Sequence, residues 1–500
     1  MKKTLLIGSI ICWLHSLAFT QEKRDYNWIL GYEQSLANPE IISVNFNANP
    51  AIFSHVITTE DFGMAGSNTA MSDREGELLF YSNGCKIINR AGAIMKNGGL
   101  INPGLIELLY CEGGGSPLRQ GVLSLPYPGH DSLYFVFTID FDRAYQGVDS
   151  VLAVAPQRVF YQLIDISLEN GLGAVTAQNQ IALMDTFSRS CLHAVRHANG
   201  TDWWIIIPKS HSNCYFLLPL TTQGLQAYQL KCSGHVWSDD DVSAQSVFSP
   251  DTKKYIRFNA FNGLNIFDFD NANGELSNPV RITFPNDTIN SILGVAVSSN
   301  SKYLYVSARK KLYQFDLHAP DIEASKVLVA VWDGFQNPYS TLFYISALAP
   351  DGKIYISNTS STYNLHVIDK PNCPGLACEV RQHGITLPSY NFATIPNIPH
   401  YRGSYGDCDS TSNVIEGMLG GRPVALYPNP AKDYLWINCP QLEGRSYILM
   451  IYDAGGSTVM HLEGNTALNQ IDISGLRPGT FFYSIRIGAS MVNGKFLKLE

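Results

Sequence analysis

Three stretches of this chain share one layout: "VFSPDTKKYIRFNA", "AVSSNSKYLYVSA" and "ALAPDGKIYISNT". Each is an apolar strand, a polar corner, then a strand of alternating aromatic and aliphatic residues. The corner positions Thr252, Ser301 and Gly352 lie 49 and 51 residues apart. Weaker copies come earlier, in "MSDREGELLFYSN" around Gly76, "LPYPGHDSLYFVFT" around Gly129 and "VRHANGTDWWIIIP" around Gly200. A small residue at the corner suits a tight hairpin, which often demands positive φ. Helical periodicity is missing from the series. A period of about fifty residues with several strands per unit constrains the fold strongly. One small twisted sheet cannot bury both of its faces, so successive sheets must pack on one another.

Sheets packed in a circle make a β-propeller. Six units are plain in the sequence. The circle must also close, or its end sheets expose edges that invite aggregation. The segment "FATIPNIPHY" around Ile395 reads as the inner strand of one more blade. The N-terminal stretches "YNWILGYE", "EIISVNF" and "IFSHVITT" would supply its other strands. The expected fold is therefore all-β: a seven-bladed β-propeller, with six blades as the alternative, followed by a small Ig-like antiparallel β-sandwich. The 26 Tyr and 24 Phe suit half-buried pleated surfaces, and 41 Gly and 25 Pro supply turns. A hydrophobic fraction of 45% excludes overall disorder. The formal net charge is −8 with no basic stripe, so nucleic acid is not an expected partner.

A second element recurs. "YQLIDIS", "LNIFDFD", "LYQFDLH" and "LHVIDKP" place Asp165, Asp268, Asp316 and Asp369 after an apolar residue. A ring of carboxylates for metal or substrate is one reading, and repeated turn chemistry is the other. The second is preferred, because what recurs in every unit serves the unit's own fold.

The start reads as an export signal over residues 1–20. Lys2 and Lys3 precede an apolar run from Leu5 to Leu14, and "SLAFTQ" offers cleavage after Ala18 or Thr20. The run is too short to span a bilayer, and no transmembrane span is expected in the mature chain. Cleavage would remove Cys12 and leave nine cysteines, an odd number for an exported protein. Cys373 and Cys378 flank the tight loop "PGLA" and are the first candidate disulfide; Cys191 and Cys214 are the second. No CxxC occurs, and neither a metal site nor a cofactor is expected.

Composition shifts after Gly403, in "GSYGDCDSTSNVIEGMLGGRP", which reads as a linker. Short alternating strands follow. In "GTFFYSIRIG", Phe481, Tyr483, Ile485 and Ile487 fall on one face, and Phe482, Ser484 and Arg486 on the other. Turns at Gly455-Gly456 and Pro478-Gly479 separate strands of a small sandwich, and Pro428 and Pro430 stiffen its opening. The expected organisation is a signal peptide (1–20), propeller (21–405), linker (406–423) and sandwich (424–500).

The phrases "LYPNPAKDYLWI", "YILMIYDAGGSTVM", "IDISGLRPGTFFYSIRIG" and "GKFLKLE" resemble the type A C-terminal sorting domain of the type IX secretion system of Bacteroidota. The resemblance implies passage across the outer membrane, with this secretion machinery as the partner of residues 424–500. It implies that the domain is then removed and the cargo released or tied to surface lipopolysaccharide. The family's final basic residue would be Lys495 or Lys498, and the terminal Glu500 is a small departure. An Ig-like adhesion module is the alternative for this tail. From Tyr26 to Tyr405, "MSDREGELLFYSNG", "INRAGAIMKNGG", "YQLIDISLENGLGAV", "FDFDNANGELSNP" and "HVIDKPNCPGLAC" resemble exported Bacteroidota propellers related to WD-type and YVTN-type repeats. That resemblance implies a fold and a compartment, and brings no catalytic residues.

Local motifs for chemistry are few. "CEGGGSP" at Cys111–Pro117 lacks a following GK[ST], and "DFDNANGE" fails EF-hand spacing because Phe269 would be the first ligand. Neither GxSxG nor HExxH is present. His193, His197, His211 and His235 share one region without any need to converge, and Asp239-Asp240-Asp241 reads as a solvated loop tip. Trp203 and Trp204 are adjacent in a strand and must face opposite ways, one into the core and the other between blades or into a groove. No catalytic, cofactor-binding or metal-binding residue is assigned. Two functions remain: a secreted or surface propeller that binds a glycan, peptide or envelope protein without catalysis, and a hydrolase or lyase working at the mouth of the central channel.

Overall fold

All six corners have left-handed backbone: φ is 100° at Gly76, 77° at Gly129, 75° at Gly200, 65° at Thr252, 59° at Ser301 and 80° at Gly352. Each corner turns the chain from the first strand of a sheet into the second. The structure is a computed structural model. It describes residues 22–32, 41–56, 58, 62–64, 66–146, 151–237, 244–259, 261–284, 293–408, 417–419, 422–427, 430–438, 446–464, 468–488 and 490–499. The expected signal peptide, Asp239–Asp241, Cys439 and much of the expected linker lie outside these residues.

Among the described residues, seven small antiparallel sheets precede Gly403. The first holds Asn27–Leu30, Ile42–Asn45 and Ile52–His55, and the second Thr69–Ser72, Leu78–Ser82 and Ile87–Asn89. The third holds Val122–Pro126, Leu133–Gln146, Val151–Asp165 and Ala174–Met184. The fourth begins His193–Arg196, Trp203–Pro208 and Cys214–Thr221, with Gly224–Leu225 and Gln229–Cys232 both paired to its third strand. The fifth runs from Gln245–Phe248 to Glu275–Ile282, the sixth from Leu293–Val297 to Val327–Val331 and the seventh from Phe343–Leu348 to Val380–Phe392. Among the described residues the helical elements are a six-residue helix, Leu105–Tyr110, and two 3-10 turns.

The alternation of side chains along each strand divides neighbours between two cores. Val247 packs toward the sixth sheet while Phe248 packs toward the fourth. Ile29 shares a core with Ala70 and Tyr81 of the second sheet, while Trp28 and Leu30 share one with Tyr344, Tyr355 and Val367 of the seventh. One continuous cluster joins the second, third and fourth sheets, and another joins the sixth to the seventh. Every sheet thus has both faces covered, and the first covers the seventh. This is the packing of a seven-bladed propeller rather than a six-bladed one.

Of the segment expected as an inner strand, residues 392–401, Phe392 ends the last strand of the seventh sheet, and the rest is largely buried but forms no regular strand. Pro396 and Pro399 lack the N–H groups a ladder needs. It is held by single bonds instead: Phe392 N donates to Gly31 O (3.0 Å) and Asn397 N to Asn68 O (2.8 Å). It ends in an ion pair that joins the two ends of the domain. Arg402 donates through both terminal nitrogens to Asp25, and both side chains are 6% exposed.

The recurring aspartates serve their own sheets. Asp268, Asp316 and Asp369 pair with Lys254, Lys302 and Lys353, each at or one residue before the start of the adjacent second strand. Asp165 accepts from the backbone N and hydroxyl of Ser167. The "DFDNANGE" stretch is a turn in which Asn273 N and Gly274 N donate to Asp270 O.

The expected disulfides are corrected. Cys373 bonds to Cys408, which the returning segment brings beside it, and Cys378 is a buried thiol pushed up to about 12 by burial. Cys214 bonds to Cys232, directly opposite on the neighbouring strand, and Cys191 is a buried thiol in the core. A third disulfide, Cys85–Cys111, fastens the "CEGGGSP" loop to the second sheet.

The tail is a sandwich of two four-stranded antiparallel sheets. One is ordered Gly417–Leu419, Arg422–Tyr427, Tyr434–Asn438, Leu468–Asp472, and the other Thr458–Gly464, Tyr447–Tyr452, Gly479–Ile487, Ser490–Lys498. Phe481, Tyr483, Ile485 and Ile487 enter a core shared with Leu435, Ile437 and Ile471, while Phe482 and Arg486 face solvent. Just after Pro430, Ala431 N donates to Leu497 O and Leu499 N to Ala431 O (both 2.7 Å), which ties the opening of the tail to its last strand. The strand Gly417–Leu419 lies within the stretch expected as linker and pairs with the sandwich.

Arg402→Met should destabilise the propeller by about 3–5 kcal/mol in chemical denaturation of the full chain, because it leaves Asp25 buried and unpaired. Adding Asp25→Asn should recover most of that loss. Gly352→Ala should cost about 1–2 kcal/mol from backbone conformation alone. The space around its Cβ is open, the nearest atom being Tyr405 Oη at 3.9 Å.

Candidate functional site

The axis of the propeller is filled by amide side chains. Asn397 Nδ2 donates to Val122 O (2.9 Å) and Leu192 O (2.8 Å), and its Oδ1 meets His193 Nδ1 (2.9 Å) and Gln120 Nε2 (3.2 Å). With the Asn397 amide oriented this way, His193 carries its proton on Nδ1. Gln120 continues to Ser246 of the fifth sheet, and Gln245 bridges Val295 of the sixth and Ser346 of the seventh. The inner strands of five sheets, the third to the seventh, therefore meet through three amides. His193 is buried and His400 half-buried here, and desolvation pushes them down to about 4 and about 3, so both are neutral near pH 7.

At one end of this axis the corners of the second, third, fourth and seventh sheets surround a basin of about 850 Å³, together with segments 22–26 and 401–405. Its floor is aromatic: Tyr26, Tyr127, Trp203, Tyr401 and Tyr405. Its charges are four arginines and one glutamate. Glu22 faces Arg24 Nε at 3.0 Å, Arg196 Nη2 at 3.4 Å and Arg74 Nε at 3.5 Å. Arg402, the fourth, is committed to Asp25. The guanidinium groups are set by packing. Arg196 lies over Trp203 (4.6 Å) and donates to Gly200 O (2.8 Å); Arg24 donates to the Tyr134 hydroxyl (3.0 Å). The N-terminal segment is pinned at its backbone, with Lys23 N donating to Arg74 O (3.1 Å) and Ser72 N to Arg24 O (2.9 Å). Burial works to raise the Glu22 carboxyl, but Arg24, Arg196 and Arg74 outweigh it and hold it below the ordinary value.

The residues singled out in the sequence are dispersed. His193 lies on the axis, whereas His197 is half-buried and bonds to Ala272 O and Asn199 N. His211 and His235 are exposed elsewhere, and the described residues hold no group of three His, Cys, Asp or Glu placed to bind a metal ion. Trp203 enters the core beside Tyr401, and Trp204 packs between the fourth and fifth sheets and donates to Asn271 O. The basin arginines carried no motif. Their one signal is position: Arg74 and Arg196 flank the corner glycines Gly76 and Gly200, in "DREG" and "RHANG".

Comparison with known proteins separates the two parts of the chain. The model of the secretion system C-terminal sorting domain family matches residues 425–498. Those residues are a sorting domain. The sandwich described above is thus the sorting domain itself, and the resemblance seen in "LYPNPAKDYLWI" is upheld. No curated protein matches the chain. Among solved structures, PorZ, a surface component of the type-IX secretion system of Porphyromonas gingivalis, is 10% identical, with 96% of this chain and 75% of PorZ covered at a TM-score of 0.29. Sqt1 of Saccharomyces cerevisiae is 8% identical, with 81% and 94% covered and a TM-score of 0.36. AztD of Citrobacter koseri is 8% identical, with 89% and 97% covered and a TM-score of 0.26. Such scores carry no functional argument, and the propeller stands on its strand pairing and shared cores. No helix among the described residues is long and apolar enough to cross a membrane.

Glu22 ionises more readily folded than unfolded, so its contribution to stability is present above the ordinary carboxyl value of about 4.5 and lost as pH falls through the lower folded value. Glu22→Gln should therefore lower the melting temperature near neutral pH. The gap from the parent chain should shrink as the pH drops below about 4.5.

Proposed function

We propose that this chain is a cargo of the type IX secretion system whose propeller binds a ligand, without chemical turnover, in the basin at the end of its axis. The sorting domain at 425–498 supports the route. In this reading the signal over residues 1–20 delivers the chain to the periplasm. Residues 424–500 then engage the secretion machinery, and the propeller is released or held at the cell surface.

The character of the basin supports binding over catalysis. Hydrolases and lyases move protons, and for that they need groups with pKa values near the working pH. Among the described residues Glu22 is the one carboxylate lining the basin, and three arginines keep it ionised; the other titratable ring of the lining besides the tyrosines, His130, packs against Tyr127 (4.3 Å). Fixed guanidinium groups among aromatic rings suit the holding of a ligand's charge and shape.

Removal of residues 424–500 should leave the propeller in the periplasm, as read by fractionation and immunoblotting. Arrival of the shortened chain in the medium or at the surface, in the amount seen for the full chain, would overturn the export reading. Glycan and peptide arrays probed with the full chain should give ligands that compete for the basin. A ligand consumed on incubation would overturn the non-enzymatic reading.

A further inference from the structure

The charges of the basin do not balance around Glu22. Arg402 is neutralised by Asp25 behind the wall. Arg24, Arg74 and Arg196 all converge on the single Glu22 carboxylate. The other acid in reach, Asp131, touches Arg74 at 3.2 Å but is 87% exposed, so solvent and salt screen it. Arg74 is itself 54% exposed and opens onto the cavity. Three guanidinium groups around one carboxylate, two of them oriented by packing on Trp203 and Tyr134, form a recognition site already holding the chemistry it recognises.

The surroundings narrow the kind of molecule that would bring a second carboxylate. A peptide would be expected to pair with an exposed backbone edge. The edge at this basin, at Ser72 and Arg74, is already used by Arg24 and Lys23. What remains is the partly exposed rings of Tyr26, Tyr127 and Tyr405, with Lys23 and Arg402 against Tyr26 and His130 against Tyr127, and the exposed side chains of Thr201 and Ser404. Aromatic faces take the C–H face of a sugar ring, and hydroxyls and guanidinium groups take its oxygens. The volume of about 850 Å³ is ample for a small oligosaccharide.

We propose that Arg24, Arg74 and Arg196 form a carboxylate site for an acidic oligosaccharide, one bearing uronic-acid residues, and that Glu22 occupies this site as a tethered stand-in. The proposal rests on the binding reading of the basin given above and names its ligand class. The external carboxylate displaces that of Glu22, so the side chain acts as an internal competitor.

The test is calorimetric titration of the full chain with trigalacturonic acid, and with its methyl ester as the neutral control. The acid should bind, and the ester should bind about tenfold more weakly or not at all. Arg74→Ala should weaken binding of the acid about tenfold, and Arg74→Lys should restore part of it. Glu22→Gln should strengthen binding several-fold, an effect that a merely structural Glu22 would not produce. Melting curves confirm that each variant is folded; Arg74 is exposed enough that its replacement leaves the core intact. Failure of both the parent chain and Glu22→Gln to bind the acid overturns the proposal. So does equal binding of acid and ester, or binding indifferent to Arg74→Ala. If the acid fails while an array ligand of another class binds and is lost in Arg74→Ala, the basin remains the binding site and only the ligand class assigned here falls.

Discussion

Each sheet of the propeller has two apolar faces, and no sheet can cover its own. Side chains from one strand are committed alternately to the sheet before and the sheet after. The cost of an uncovered face is large, since each exposed Val, Leu, Ile or Phe forfeits about 1.5–3 kcal/mol. The first sheet, built from the N-terminal strands, answers this by covering the seventh through Trp28, Leu30 and Val44. Residues 393–402 then run back past it, and Arg402 bonds to Asp25. The ends of the domain are thus joined by packing and by charge, and Cys373–Cys408 holds the outgoing chain to the seventh-sheet side.

The basin is a by-product of that joining. Corners of four sheets meet at one end of the axis because all first strands run in the same sense. The two chain ends must also pass there, since they are what is being joined. The N-terminal segment carries Glu22 and Arg24 and the outgoing segment Tyr401, Arg402 and Tyr405, so the ends of the domain supply much of the lining. Axis and basin are chemically distinct. The axis is closed by neutral amides that donate to backbone oxygens and, from Gln120, to Asn397 Oδ1, while the basin keeps an excess of guanidinium charge.

Much of this was legible in the sequence. The corner rule predicted positive φ at six positions, including the two non-glycine ones, Thr252 and Ser301, and all six have it. The turn chemistry at Asp165 and the opposed faces of Trp203 and Trp204 also follow from local spacing. The disulfides did not. "CPGLAC" offered a close pair in sequence, but proximity in space to Cys373 belongs to Cys408, delivered by a segment that has crossed the domain. The basin was equally hidden: Glu22, Arg74, Arg196 and Arg402 come from four distant places, and no spacing rule relates them.

Sequence alone determined the repeat, the all-β character, the turn chemistry and the presence of a sorting domain, because each of these is written in residues close together along the chain. Tertiary structure alone decided which cysteines meet, what fills the axis and which charges share a basin. Those depend on how the faces of successive sheets must be covered, and that requirement brings together residues such as Asp25 and Arg402 that nothing in their local sequence connects.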